Sequence, residues 1–368
     1  MPTIIAIETS CDETAVAVLR QEDDQVPTVL AQVVASQINI HKETGGVVPE
    51  VAAREHVAVI KPLIEKTVNE SGLTSDDLDA IAVTVGPGLM PALSVGVSAA
   101  QALSYGWDKP VVPVHHIEGH IYSALLRSAE KPRDARDKKQ MTTDEKLPAN
   151  NSSLSDDTFP VLALIVSGGH TMLIEVTNHV TYRVLGSTRD DAVGEAFDKV
   201  ARLLDLSYPG GPNLSKLAEE GDDTIYKFAR PMIHSGDLDF SFSGLKTEVL
   251  YTMQNLDKNH KTLANVAAGF QRAAVDSLLA KTKNAITEHD FKTVLLAGGV
   301  AANQTLRRDM QELSEQLNVD LRVAPLELCG DNAVMIGQVG LYALSKGRQT
   351  TWDKIDARAR WDIETVNP

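Results

Sequence analysis

Cysteine is nearly absent: Cys11 and Cys329 are the two thiols in 368 residues. They lie far apart, so no disulfide framework is on offer and a reducing compartment is expected. Long apolar runs are missing as well. No stretch approaches the ~18 apolar residues of a membrane helix. The opening run from Met1 to Ile7 meets Glu8 too soon, and lacks the basic residues, for a signal peptide. The expectation is a soluble, cytoplasmic chain with no membrane partner. Positive charge is also short: 35 Lys and Arg against 50 Asp and Glu leave a formal net charge of −15. A generic nucleic-acid coat, basic throughout, is excluded, while a local basic face is not. What remains is ordinary globular composition, 43% hydrophobic and 23% charged, long enough for two lobes.

Three of the ten histidines, His115, His116 and His120, fall within six residues. On a helix, His116 and His120 project from one face, one turn apart. Neutral imidazole suits zinc or ferrous iron, and two histidines need a carboxylate from elsewhere to hold either tightly. The metalloprotease signature places a glutamate directly after the first histidine. Here Ile117 holds that position, and Glu118 points off the metal face. Taken alone, such a pair more often packs or hydrogen-bonds at a helix start. Asp331, where the Cys329–Ala333 stretch opens a last helix, is the candidate third ligand. Its ordinary alternative is a helix N-cap.

Two stretches share one form. Ile4–Leu19 and Val161–Val176 each read apolar strand, small polar turn, apolar strand, which is a hairpin signal. The first turn carries Thr9, Ser10, Asp12 and Glu13; the second carries Ser167, Gly168, Gly169, His170 and Thr171. One opens each half of the chain, which implies an internal duplication. As a pair they favour two phosphate-binding turns facing each other across a cleft, since glycine amides approach phosphate closely. Further along, Pro49 fits the first turn of a helix running to Ser71. A strand at Ala80–Val85 precedes a small-residue helix over Pro91–Ser104. Gly298-Gly299 joins an apolar strand to a helix, an arrangement that admits a nucleotide. Tyr208–Pro212 reads as a loop exposing backbone. Between Ser128 and Thr158 no apolar period is visible, and a mobile insertion is expected.

In this order the motifs Glu8–Thr14, Gly45–Glu50, His115–His120, Val166–Thr171, Gly194–Lys199, Tyr208–Pro212, Phe242–Thr247, Gly298–Asn303 and Asp331–Ala333 resemble the TsaD family. This family, also called Gcp, comprises the tRNA N(6)-adenosine threonylcarbamoyltransferases, here of bacterial type. The likeness covers nearly the whole chain apart from the insertion. It implies an α/β, two-lobed fold of the actin, sugar-kinase and heat-shock-ATPase superfamily, with duplicated mixed sheets flanked by helices and a nucleotide cleft between them. The lobes expected are residues 1–112, with 334–368 packing back on them, and 113–333, with 128–158 as a flexible insertion.

The resemblance places the metal ligands on His116, His120 and Asp331, for one divalent ion, Fe2+ or Zn2+. It places the adenylate-binding residues on Ile165, Val166, Ser167, Gly168, Gly169, Asp198, Gly211 and Asn303. The implied reaction moves threonylcarbamoyl from threonylcarbamoyl-AMP to the exocyclic amine of the adenosine beside the anticodon, in tRNAs reading codons that start with adenine. AMP is released. Asp12 and Glu13, on the opposing hairpin tip, are the candidates for taking the amine proton or for positioning a nucleotide-bound cation. The implied partners are tRNA, the proteins TsaB and TsaE, and a separate synthase, TsaC, that supplies the adenylate. The rivals are an ATP-dependent clamp or regulatory ATPase of the same superfamily, a small-molecule kinase and, against the Ile117 position, a metalloprotease.

Overall fold

The computed structural model describes residues 1–22, 26–126, 158–254 and 256–366. Nearly all of the expected insertion lies outside them. The first half runs β1 (Thr3–Glu8), β2 (Glu13–Arg20), β3 (Thr28–Ser36), α1 (Ile38–Thr44), α2 (Pro49–Ser71), β4 (Ala80–Gly86), α3 (Met90–Trp107), β5 (Val111–His115) and α4 (His116–Ser123). The second half runs β6 (Val161–Val166), β7 (Thr171–Asn178), β8 (Thr181–Ser187), α5 (Val193–Leu203), α6 (Gly210–Ala218), α7 (Ser243–Met253), α8 (His260–His289), β9 (Thr293–Ala297), α9 (Gln304–Leu317), β10 (Asp320–Val323) and α10 (Ala333–Ser345).

The strands form two five-stranded sheets, ordered β3-β2-β1-β4-β5 and β10-β9-β6-β7-β8. Read from opposite edges, the two are the same sheet. In each, a hairpin supplies two antiparallel pairings, β1–β2–β3 or β6–β7–β8, and the central strand then pairs in parallel with a strand returned by helices. The parallel pairs need the helical crossovers, because a two-residue turn cannot reverse the chain twice. The duplication expected from the paired hairpins is therefore present in the topology.

Alternation along the strands divides the core. Ile5, Ile7, Val16 and Val18 join Ile60 and Ile64 of α2 in one buried cluster, whereas Ile4, Ala6, Ala15 and Ala17 join Met335, Ile336 and Val339 of α10 in the other. The central strands are buried on both faces, which is why they read as unbroken apolar runs instead of alternating ones. α10 thus packs on the first sheet, although it follows the second in sequence. No helix among the described residues is long and apolar enough to cross a membrane.

One local expectation is corrected. Tyr208–Pro212 is not all loop: α6 begins at Gly210, with Pro209 in the N-cap position. Pro212 sits in the first turn, where its missing N–H costs nothing because that donor has no helical acceptor.

Candidate metal and adenylate site in the cleft

β5 ends at His115 and α4 begins at His116 without an intervening loop, so the strand delivers the first turn of the helix to the cleft floor. His115 caps that turn. Its Nδ1 accepts the Ile117 N–H at 3.2 Å and its Nε2 donates to the Trp361 carbonyl at 2.9 Å, which sets its tautomer. Burial holds its pKa down to about 3, so it caps as a neutral ring. Glu118 closes the capping box by accepting from the His115 N–H. The rest of its fully buried carboxylate takes Arg348 through two bonds of 2.9 Å and the Tyr182 hydroxyl at 3.0 Å. Glu118 is accordingly turned away from the metal face, as its spacing requires, and it ties α4 to the end of α10.

Asp331 arrives from the other direction, just ahead of α10. Its Oδ1 lies 3.6 Å from His116 Nε2 and 3.3 Å from His120 Nε2. The N-cap role falls to its neighbour Asn332, whose side chain accepts the Met335 N–H at 2.9 Å. That division of labour leaves the aspartate free for the imidazoles. His116 is oriented from behind: Glu8 Oε2 stands 3.3 Å and Ser10 Oγ 3.2 Å from its Nδ1, so Nε2 faces Asp331. Glu8 ends the otherwise apolar β1 and is fully buried, held by the Ser10 N–H and the Thr84 hydroxyl.

Burial alone would push the His116 pKa down, but the Asp331 and Glu8 carboxylates overturn this and raise it to about 9. Asp331 is partly buried, which would raise its pKa, yet His116 and His120 hold its carboxyl well below the usual range. Neither ring nitrogen of the buried His120 makes a well-aligned hydrogen bond. Ligand atoms of His116, His120 and Asp331 all lie within 4.8 Å of one another. The 3.6 and 3.3 Å from Asp331 Oδ1 to the two Nε2 atoms are close to the roughly 3.4 Å between ligands held tetrahedrally at about 2.0–2.2 Å from one divalent ion. The donor set, two imidazoles and one carboxylate, suits zinc or ferrous iron. The three residues fit a single metal ion.

His116 and Asp331 line a cleft of about 900 Å³ together with Asp12, Glu13, Ser167, Gly168, Gly169 and Asp198, and His120 is buried beside them. The first hairpin tip is fixed from α2: His56 accepts or shares the Thr14 hydroxyl proton at 2.7 Å and donates to the Cys11 carbonyl at 3.0 Å. Asp12 meets the Tyr208 hydroxyl at 3.3 Å. Burial, then the Asp12 and Asp331 charges, push the Glu13 carboxyl up to about 9. At the second tip, the Ser167 N–H is taken by the His170 carbonyl at 2.8 Å. The N–H groups of Gly168 and Gly169 have no acceptor among the described residues.

Other expected residues sit differently. Ile165 and Val166 are wholly buried in β6 and pair with Met172, Thr171 and Ala297. Gly211 donates its N–H to Asp198 Oδ1 at 2.9 Å, in the first turn of α6. Asn303 is occupied on every side-chain atom, by Ser215, Gln271 and the Leu306 N–H. Sequence reasoning missed the roles of Glu8 and Ser10 behind His116, and of His170 beside it, whose ring centroid is 6.4 Å away. A lone carboxylate closing an all-apolar strand was the available signal for Glu8.

Similarity to known proteins shows the fold and the family. HypF from T. kodakarensis superposes with a TM-score of 0.60 at 15% identity, covering 96% of this chain and 49% of that one. A second HypF structure, in a phosphate- and nucleotide-bound form, gives 0.58 at 12%, covering 95% and 56%. At such identity these show the fold: two actin-like lobes built from duplicated mixed sheets. Two curated proteins called tRNA N6-adenosine threonylcarbamoyltransferase are each 44% identical. The one from Halalkalibacterium halodurans aligns over 99% of this chain and 96% of its own length, and the one from Bacillus subtilis over 95% and 93%. The family model TsaD, tRNA N6-adenosine threonylcarbamoyltransferase, matches residues 28–135 and 146–338, and the chain belongs to that family of transferases.

Proposed function

We propose that this chain transfers threonylcarbamoyl from threonylcarbamoyl-AMP to the N6 amine of the adenosine beside the anticodon, in tRNAs reading codons that begin with adenine. The supporting observation is that one cleft is lined by His116 and Asp331, with His120 buried within reach of both, and by Gly168 and Gly169, whose amides have no acceptor among the described residues. Those amides hold the anionic part of the donor, while Ser167 shapes their turn. Asp198, fixed by the Gly211 N–H, sets the nucleoside end. Ile165, Val166 and Asn303 support the turn and the neighbouring helix from within the lobe formed by 113–333, opposite the lobe of 1–112 and 334–368. A divalent ion on His116, His120 and Asp331 supplies Lewis-acid polarisation of the donor's oxygens when bound. Ferrous iron is our reading, with zinc as the alternative.

The amine nitrogen attacks the carbamoyl carbon, the bond from that carbon to the phosphate oxygen breaks, and AMP leaves. The amine proton passes to Asp12. Glu13 already holds a proton at neutral pH, because its pKa lies near 9, and it serves as the hydrogen-bond partner of Asp12. TsaB and TsaE are the proposed protein partners, with TsaC supplying the adenylate, in the cytoplasm.

The test is transfer of labelled threonylcarbamoyl to unmodified tRNA, with TsaB and TsaE present, comparing wild type with His116→Ala. Transfer by wild type that drops to background in the variant, with bound metal lost in parallel, supports the reading. Tight adenylate binding with no transfer by wild type would overturn it in favour of an ATP-dependent clamp.

A further inference from the structure

A second cavity, of about 410 Å³, lies under the C-terminal segment and is lined by Pro87, His115, His170, Met172, Arg360 and Trp361. Its size is that of a small-molecule site. Pro87 and His170 also line the large cleft, so the two spaces adjoin at these side chains, beside the metal ligands.

The wall of this cavity is held firmly in place. The Ile355 carbonyl accepts from the Gln101 side chain at 3.0 Å, the Arg358 N–H donates to Val85 at 2.6 Å, and the Ala359 carbonyl accepts from Gly88 at 3.3 Å. Trp361 contributes its carbonyl to His115. β4 can run this close because residue 86 is glycine; a Cβ there would collide with the Arg358 carbonyl. Beyond the cavity, Glu364 accepts the Val184 N–H at 2.7 Å. The segment therefore crosses from the first sheet to the second.

With the backbone committed, the side chains give the segment its chemistry. Between Lys354 and Trp361 there are three cations, Lys354, Arg358 and Arg360, against the single carboxylate of Asp356, in a chain of net charge −15. Arg358 and Arg360 are exposed. The Arg358 guanidinium lies 4.8 Å from the Trp361 ring centroid. Asp362, also on the wall, is engaged in capping the Glu364 N–H at 3.0 Å. The segment follows the part of the chain that the family model matches.

We propose that this cavity receives the acceptor nucleoside of the RNA, its base against Trp361 and His170 and the flanking phosphates on Arg358 and Arg360. The inference rests on the transfer reaction proposed above. In that reaction the donor fills the large cleft, so the acceptor amine must enter from a neighbouring space. A base can present its amine there only when it is out of the stack, which calls for a pocket with aromatic walls and cations for the backbone.

Ala359 lies on the rim, is exposed, and bonds through its carbonyl alone. Ala359→Trp should therefore fill the cavity without disturbing the fold, and Arg360→Glu should repel the phosphates. Both are assayed in the full complex with TsaB and TsaE, using an anticodon stem-loop, with thermal midpoints as the folding control. The expected result is at least a tenfold loss of kcat/KM for the stem-loop in each variant, with adenylate affinity and metal content within twofold of wild type. A stem-loop carrying 2-aminopurine at the acceptor position should change fluorescence on binding wild type and not on binding Ala359→Trp. Normal transfer by both variants alongside an active wild type would overturn this assignment and leave the reaction standing. Equal loss of adenylate binding would return the cavity to the donor. A wild type that transfers nothing would remove the reaction and this assignment together.

Discussion

The two hairpin tips occupy equivalent places in two copies of one sheet, yet they carry opposite chemistry. The tip after β1 gathers Glu8, Asp12 and Glu13 beside the histidines. The tip after β6 offers Gly168 and Gly169, whose amides have no acceptor among the described residues and whose surroundings are open, since a Cβ on either would meet nothing within 4 Å. The duplicated topology supplies two facing turns. Side chains then make one tip acidic and leave the other with two open backbone amides, a division that suits the proposed group transfer from a phosphate to an amine.

The largest expected effect would come from breaking the acidic side. Asp12→Asn should slow transfer by about 10²–10⁴-fold, the range of a lost proton acceptor, with adenylate affinity nearly unchanged. Glu13→Gln should cost far less, because burial and its acidic neighbours already keep that carboxyl protonated at neutral pH. Single-turnover rates alongside equilibrium binding would separate the two; equal loss of rate and affinity in Asp12→Asn would remove the assignment.

Behind the same tip, Glu8→Gln keeps the size of the side chain and removes the charge facing His116 Nδ1. Metal affinity should fall about 10–100-fold, as for other carboxylates that orient ligand imidazoles. Competition with a chromophoric chelator measures this, and unaltered affinity would make Glu8 a structural residue.

The glycine tip sharpens the contrast from the other side. Gly168→Ala should leave stability unchanged but weaken adenylate binding about tenfold, near 1.4 kcal/mol, because the methyl occupies space the donor approaches. Gly298→Ala should do the reverse. Gly298 has φ +94 and a Cβ there would collide with the Val166 carbonyl, so the cost, roughly 1–3 kcal/mol, falls on folding. Thermal melts paired with calorimetric titration distinguish these outcomes.

Much of this was legible in residues 1–20 and 161–176, because alternating strands and small polar turns are local signals. The pairing of His116 with His120 was legible for the same reason, being one turn of helix. Asp331 came within reach only as a candidate, since over two hundred residues of chain separate it from the histidines and its neighbour Asn332 competes for the cap. Gly210–Pro212 misled because Gly-Gly-Pro serves a loop and a helix start equally well. Glu118, Arg348 and Tyr182 could not be joined by any local pattern, as they meet only once α4, β8 and the chain just after α10 are packed.

The smallest expected effect lies behind the glycine tip, in the turn that leads from β8 into α5. Asp190 there caps α7 from a distance, accepting the Phe242 and Ser243 N–H groups and the hydroxyls of Ser241 and Ser243. Partial burial would raise its pKa, but the four bonds prevail and lower it. A carboxylate depressed in the folded state adds stability that is fully present above its unfolded pKa, about 3.9, and is lost as pH falls through the folded value. Asp190→Ala should therefore cost about 1 kcal/mol at neutral pH, the typical scale of a lost helix cap. The gap between the two melting curves should narrow steadily below pH 4. A gap that stayed constant into that range would mean that Asp190 contributes by packing and not as an ionised cap.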